Sequence, residues 1–375
     1  MRVLVVAGAR PNFMKVAPIL RALDAAGHVR VLVHTGQHYD AAMSGAFFAD
    51  FGMPQPDYHL GVNTGSHAVQ TAGVMRAFEP ILMTVRPDWV VFVGDVNSTL
   101  AAALVTAKLR QDLGCRLAHV EAGLRSRDWT MPEGVNRVLT DRLSDRLFVH
   151  SPEAVDHLLA EGIERSSIEL AGNVMIDTLL RQLPAARALD IPARMGLEPR
   201  RFAVVTLHRP SNVDDGDALR TLLEALGDLS RDMPVVWPVH PRARRRVEEF
   251  SLHRLLDGIT TVEPVGYLDM LSLVDAAAIV LTDSGGLQEE TTVLGVPCVT
   301  LCAQTERPIT ISRGTNRLAP WPLTVGGVLD CVRAALADRS SRKPEVPDGW
   351  DGRAAERIVA ALARSVDSRR SSLQP

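Results

Sequence analysis

At 375 residues the chain exceeds what one hydrophobic core usually organises, and two domains of ordinary size fit it. Hydrophobic residues make up 46 % and charged residues 23 %, which excludes a disordered chain. A formal charge of −3 excludes a composition built for nucleic acid or for an anionic membrane surface.

The N-terminal MRVLVVAGARPNF has an apolar run too short for a signal peptide and reads as a first strand. No stretch approaches the roughly 18 apolar residues of a membrane span, so the expectation is a soluble, cytoplasmic protein. Four further runs, VRVLVHTG, DWVVFVGD, RLAHVEAG and RLFVHS, are short and rich in branched residues. Segments such as FMKVAPILRALDAAG carry apolar residues three and four apart, as helices do. Continuous apolar strands alternating with helices predict a parallel sheet covered on both faces. The stretch from Leu179 to Arg201 is helical at first and then dotted with Pro and Gly, as expected of an interdomain connection. A second series follows: RFAVVTLHRP, MPVVWPVHP, GITTVEP, AAAIVLTDSGG and VPCVTLC. The reading is α/β, with two doubly wound domains at 1–180 and 200–364, a cleft between them, and a flexible tail at 365–375. The basic stretch PRARRRVEEF is interrupted by glutamates and reads as a solvated helix face. Cys115, Cys298, Cys302 and Cys331 suit a reducing compartment, and with no second Cys/His pair beside Cys298 and Cys302 no metal site is expected.

In parallel α/β sheets ligands bind beyond the carboxyl ends of the strands, so residues just after each strand carry the information. The first strand runs into Gly8-Ala9-Arg10-Pro11-Asn12, with Lys15 on the first helical turn. A glycine turn, a helix N-terminus and two cations suit a phosphate, although a tight turn with surface cations has the same residues. LTDSGGLQEETTVLG is a second such turn: Ser284, Gly285 and Gly286 lead into a helix, and Glu290 lies one turn beyond Gly286. A carboxylate there can accept two hydrogen bonds from a ribose diol. Two anion-ready turns, one per domain, point to a diphosphate. Acids end the middle strands. Asp95 precedes Asn97-Ser98-Thr99, where a helix cap is an equal reading, Glu121 follows LAHV, and Glu133 follows Met131-Pro132. His208 ends the first strand of the second domain. Three carboxylates and a histidine at strand ends favour proton transfer.

Taken together, GARPNFMKVAPI, GDVNST, HVEAGLRS, PEGVNR, TLHRP, VHP, TDSGGLQEE and TERP followed by GTNR resemble the non-hydrolysing UDP-N-acetylglucosamine 2-epimerases, in order, from about residue 8 to 318. The resemblance implies two Rossmann-like domains in a GT-B-like architecture, a homodimer, a UDP-sugar substrate and no cofactor. It makes Asp95, Glu121, Glu133 and His208 catalytic, and Arg10 and Lys15 phosphate-side cations. Ser284, Gly285 and Gly286 fall at the diphosphate, Glu290 at the ribose, and Arg307 of TERP on the ligand. The reaction implied is reversible C2 epimerisation of UDP-N-acetylglucosamine to UDP-N-acetylmannosamine, by elimination of UDP to 2-acetamidoglucal and re-addition. Closure of the domains is expected to exclude water meanwhile.

The sequence departs from the family at four points. Gly134 stands where a second glutamate is frequent, Ser211 where an acid is usual, and Cys302 near a frequent arginine. GVNTGSHAVQ lacks the arginine of members activated by their own substrate, so no such activation is expected. Competing readings are a hydrolysing 2-epimerase, a 2-epimerase of a modified UDP-acetamido sugar, a glycosyltransferase of the same architecture, and a UDP-sugar-binding protein without turnover.

Overall fold

The computed structural model describes residues 1–36, 51–127, 129, 131–341 and 345–372, with the side chains of residues 10, 11, 339–341 and 367–372 outside that description. It falls into two compact units: Met1–Thr178 together with Asp348–Pro375, and Leu179–Pro347.

The first unit holds seven strands: β1 (Arg2–Ala7), β2 (Val29–His34), β3 (Tyr58–His59), β4 (Trp89–Val93), β5 (Arg116–Val120), β6 (Arg146–Val149) and β7 (Ile168–Leu170). They form one parallel sheet in the order β3-β2-β1-β4-β5-β6-β7. Val3, Leu4 and Val5 of β1 and all of Trp89–Phe92 of β4 are fully buried. Burial of successive residues means burial of both faces, which is why these strands lack a polar alternation. Chain order reverses between β1 and β4, and the turns that follow them are neighbours there.

The second unit repeats the plan with β8 (Ala203–Thr206), β9 (Val235–Pro238), β10 (Ile259–Val262), β11 (Ile279–Thr282), β12 (Cys298–Thr300) and β13 (Asn316–Leu318). All neighbours are parallel, in the order β10-β9-β8-β11-β12-β13, with the reversal between β8 and β11. Two apolar clusters use alternate residues of the strands. One takes Ala203, Val205, Val235, Trp237 and Leu281, and the other Phe202, Val204, Val236 and Val280. The α/β doubly wound reading therefore holds in each unit.

The end of the chain differs from the expected division. The helix Ala354–Ser372 belongs to the first unit, not to a second domain ending at 364, and helix rather than flexible tail continues past residue 365. It packs against the helix Arg10–Ala25, and Ile358, Val359 and Leu362 are buried. Trp89 Nε1 donates to the Leu362 carbonyl at 3.2 Å, and Arg116 donates to the Ser365 carbonyl at 2.9 Å. Its first N–H groups are capped from a distance. Asp177 accepts from Ala354 N at 3.0 Å and from Ala355 N at 2.7 Å. An apolar stripe shows that a helix must bury one face, but not which domain receives it.

Cys298 and Cys302 are buried, and burial pushes their thiols up to about 12 and about 11. Among the described residues no group of side chains has the makings of a metal site, and no helix is long and apolar enough to cross a membrane.

Candidate active site

In the first unit Asp95 and Glu121 stand just beyond the ends of β4 and β5, adjacent strands of which β4 also neighbours β1 in the sheet. The turn after β1 has no room for a side chain at Gly8, because a Cβ there would lie 2.5 Å from Ser98 Oγ. Asn12 closes this turn, its Oδ1 accepting from Gly8 N at 3.2 Å and Ala9 N at 3.0 Å. Its Nδ2 donates to the Val93 carbonyl at 3.0 Å, which ties the β1 turn to the β4 turn. Two N–H groups of the expected phosphate turn are thus occupied. Arg10 opens the helix Arg10–Ala25, and its side chain lies outside the described residues. Lys15 is placed with the acids: its ammonium forms a buried ion pair with Glu121. A Cβ on Gly94 would stand 3.5 Å from Lys15 Nζ, so the β4 turn passes close beside it.

Asp95 does not cap the following helix, whose N-cap is Val96. Its carboxylate instead takes a short hydrogen bond from Arg137, itself buried on the helix Pro132–Leu143. Asn136 on the same helix donates to the Asp95 carbonyl at 2.8 Å and to Asn97 Oδ1 at 3.2 Å. Glu121 has φ 68°, a left-handed conformation that costs a non-glycine residue of order 1–3 kcal/mol. Such strain persists only when surrounding contacts over-determine it. Glu133 lies in the first turn of Pro132–Leu143, half-buried and without an ion pair among the described residues. Gly134 beside it lines a cavity of about 330 Å³ with Arg125, Trp129, Val138 and His157.

In the second unit the turns after β8 and β11 meet at a residue the motif reading passed over. Asp283 is fully buried and accepts His208 Nδ1 at 2.6 Å. It also accepts the backbone N–H groups of His208 at 2.9 Å and Arg209 at 2.8 Å, and Asn212 Nδ2 at 3.1 Å. Burial alone would raise this carboxyl, but the hydrogen bond and charge of His208 and these N–H groups hold it below the ordinary carboxylate range. With Nδ1 committed to Asp283, the half-exposed ring has Nε2 left for a proton.

Ser284 turns back, its N–H donating to Thr282 Oγ1 at 2.9 Å, and Gly285 and Gly286 begin the helix Gly285–Leu294. A Cβ at Gly285 would lie 2.4 Å from Arg307 Nη1, so a side chain there would have to displace the guanidinium. Arg307 is buried between Glu289 at 2.9 Å and Glu306 at 3.2 Å. Glu290 lies inside the same helix, and its Oε1 accepts the Tyr267 hydroxyl at 2.9 Å. Burial, with the charge of Glu289, outweighs that hydrogen bond and raises the Glu290 carboxyl to about 7.

The first unit thus brings Lys15, Glu121 and Asp95 together beside the reversal of its sheet, and the second brings His208 and Ser284 to the turns after β8 and β11, whereas Glu133 has no hydrogen bond or ion pair to the other acids among the described residues. Arg137, Asp283 and Tyr267 complete the two sets. Arg137 and Asp283 stood inside quoted motifs, whereas Tyr267 carried no signal.

A family model described as UDP-N-acetylglucosamine 2-epimerase matches residues 21–363. The chain belongs to the UDP-N-acetylglucosamine 2-epimerase family. A UDP-N-acetylglucosamine 2-epimerase of Methanocaldococcus jannaschii is 38 % identical over 371 residues, covering 96 % of this chain and 99 % of that protein. A UDP-2,3-diacetamido-2,3-dideoxy-D-glucuronate 2-epimerase of Pseudomonas aeruginosa is 39 % identical over 372 residues, covering 97 % of this chain and 100 % of that one. Among solved structures, the M. jannaschii 2-epimerase in complex with UDP-GlcNAc and UDP superposes with a TM-score of 0.85 at 37 % identity, covering 97 % and 100 % of the two chains. Family membership and the pair of Rossmann-like domains agree with the resemblance read from the motifs.

Proposed function

We propose that this member of the family interconverts UDP-N-acetylglucosamine and UDP-N-acetylmannosamine by reversible inversion at C2. The observation that carries the reading is the set of acids held in place by cations at the switch of the first sheet, Asp95 by Arg137 and Glu121 by Lys15. Inversion needs proton-transfer groups on two faces of the sugar ring, and a UDP-binding protein without turnover has no use for so many. The hydrogen on C2 is too weakly acidic for a carboxylate to remove unaided. As the C1–O bond to UDP breaks, positive charge at C1 makes that proton labile, and cations on the diphosphate stabilise the departing group. A carboxylate takes the proton, giving 2-acetamidoglucal and UDP. A proton delivered to C2 from the opposite face, with UDP returning to C1, gives the epimer.

In this reading Asp95, Glu121 and Glu133 exchange protons with the sugar, and Arg137 and Lys15 hold the first two. His208 transfers a proton through Nε2, with Asp283 fixing its ring. Ser284, Gly285 and Gly286 present the N-terminus of the helix Gly285–Leu294 to the diphosphate, where the dipole and free N–H groups favour anions. Arg307, its charge shared with Glu289 and Glu306, backs that turn, and Glu290 accepts from the ribose. The protein acts as a homodimer in the cytoplasm, without a cofactor.

A second reading, 2-epimerisation of a modified UDP-acetamido sugar, is favoured by the Pseudomonas aeruginosa relative, whose 39 % identity to this chain is as high as the 38 % of the M. jannaschii 2-epimerase. The test is chromatographic. Incubations begun from either UDP-sugar should reach the same mixture with UDP-linked sugar conserved. Accumulating free UDP and N-acetylmannosamine would instead establish the hydrolysing reaction, and inertness toward both with turnover of a diacetamido-uronate would establish the second reading.

A further inference from the structure

Beneath the acids of the first unit lies a buried charged cluster to which the proposed chemistry assigns no step. His119, on β5 two residues before Glu121, is fully buried, as is Asp141 on the helix Pro132–Leu143. His119 Nδ1 is 2.6 Å from Asp141 Oδ1, and His119 Nε2 is 2.8 Å from the Gly94 carbonyl oxygen. The carbonyl is an acceptor only. Asp141 is an acceptor on its other oxygen too, taking Gly123 N at 3.1 Å and Arg125 Nη2 at 2.8 Å. Burial works against the Asp141 charge, but His119 and Arg125 outweigh it and hold that carboxyl below its ordinary range. A ring that faces an acceptor at each nitrogen donates twice, which a neutral imidazole cannot do.

The contacts of this cluster fall on the three segments that carry the acids. Gly94 directly precedes Asp95. Gly123 lies two residues beyond Glu121, and both have positive φ, 78° and 68°. Asp141 stands one helical turn beyond Arg137, which holds Asp95. Arg125 extends the cluster outward through a two-pronged pair with Glu161, at 2.7 Å on each prong. Alternative roles fit less well. As an acid or base His119 has no open nitrogen, and with no exposed surface it cannot reach a substrate.

We propose that His119, carrying a proton on both ring nitrogens, is a positioning residue which with Asp141 and Arg125 locks the Asp95 and Glu121 turns and their helix into the geometry for proton transfer at C2. The inference rests on the epimerase reading for its kinetic consequence, but not for the state of the ring. Loss of the lock displaces the acids by fractions of an ångström and leaves the nucleotide-binding residues of the second unit untouched. The kinetic effect therefore falls on kcat.

Two measurements test it. In the wild-type protein with 15N-labelled histidine, NMR at neutral pH should show both His119 nitrogens protonated, assigned by loss of the signal in His119→Gln. A ring with one proton overturns the proposal. In His119→Gln, kcat for loss of the C2 hydrogen should fall about 100-fold, the scale of a small misplacement of reacting groups, with UDP affinity held within about twofold. A folded variant with wild-type kcat, or one that loses UDP affinity in proportion, overturns the positioning role. If His119→Gln does not fold, Arg125→Lys carries the kinetic arm, with about a tenfold loss expected because an ammonium cannot span two carboxylates as the guanidinium fork does. Wild-type protein that never exchanges C2 hydrogen would sink the epimerase reading instead, and the ring measurement would still decide the state of the cluster.

Discussion

Glu290 offers a prediction whose size follows from the structure. Its carboxyl is raised to about 7 by burial and by Glu289, and among the described residues only the Tyr267 hydroxyl donates to it. A ribose diol donates two hydrogen bonds, so it is received by the carboxylate and not by the protonated acid. Binding of uridine diphosphate should therefore release a proton below pH 7, and affinity should rise as pH rises through that value. With the carboxyl about one-tenth ionised at pH 6 and about nine-tenths at pH 8, affinity should change about tenfold, or ~1.4 kcal/mol. Glu290→Gln removes the titration but keeps the shape. Calorimetry across this range should give wild-type affinity climbing relative to the variant, whose own slope reports the ionisation of the ligand's terminal phosphate. Parallel curves would refute either the ribose contact or the buried acid behind it.

Replacing Arg137 with Gln removes the partner of Asp95 inside a buried site. It should lower kcat by about 100-fold with little change in UDP affinity, as steady-state rates and calorimetry would show. Gly123→Ala would put a Cβ 2.5 Å from the Ala154 carbonyl oxygen at a residue with φ 78°, and urea unfolding should show a loss of roughly 1–3 kcal/mol. Asp177→Ala leaves two N–H groups of the helix Ala354–Ser372 without their cap. Hydrogen exchange should quicken there first, and stability should fall by about 1 kcal/mol. With no arginine in Gly61–Gln70, initial rates should follow a hyperbola in substrate, and a sigmoid would contradict that expectation.

Much of this fold is written plainly in the sequence, because strands buried on both faces must be continuous apolar runs. Trp89–Val93 and Ile279–Thr282 are read that way with no knowledge of their neighbours. β3, β7 and β13 were not legible: two or three residues at or next to a sheet edge carry too little periodicity. The acids and His208 were legible because a polar residue within two positions of the end of an apolar strand stands out, as Asp95, Glu121 and His208 do. Their partners were not, because Arg137 reaches Asp95 across 42 positions and Asp283 reaches His208 across 75. Lys15 shows the limit well. From the sequence it belongs to a helix N-terminus and suits a phosphate, whereas in the fold it pairs with the Glu121 carboxylate on another strand's turn. The same holds for His119, which local pattern presents as one more buried residue of β5 and whose two acceptors lie on other segments.

The central claim, proton exchange at C2 of a UDP-linked sugar, is tested most directly by proton NMR in D2O. The purified protein is incubated with UDP-N-acetylglucosamine, without added metal or cofactor. Deuterium should enter C2 while a second UDP-sugar anomeric signal grows to a plateau. Retention of the C2 hydrogen while the substrate stays intact, under conditions where uridine diphosphate binds, would contradict the account.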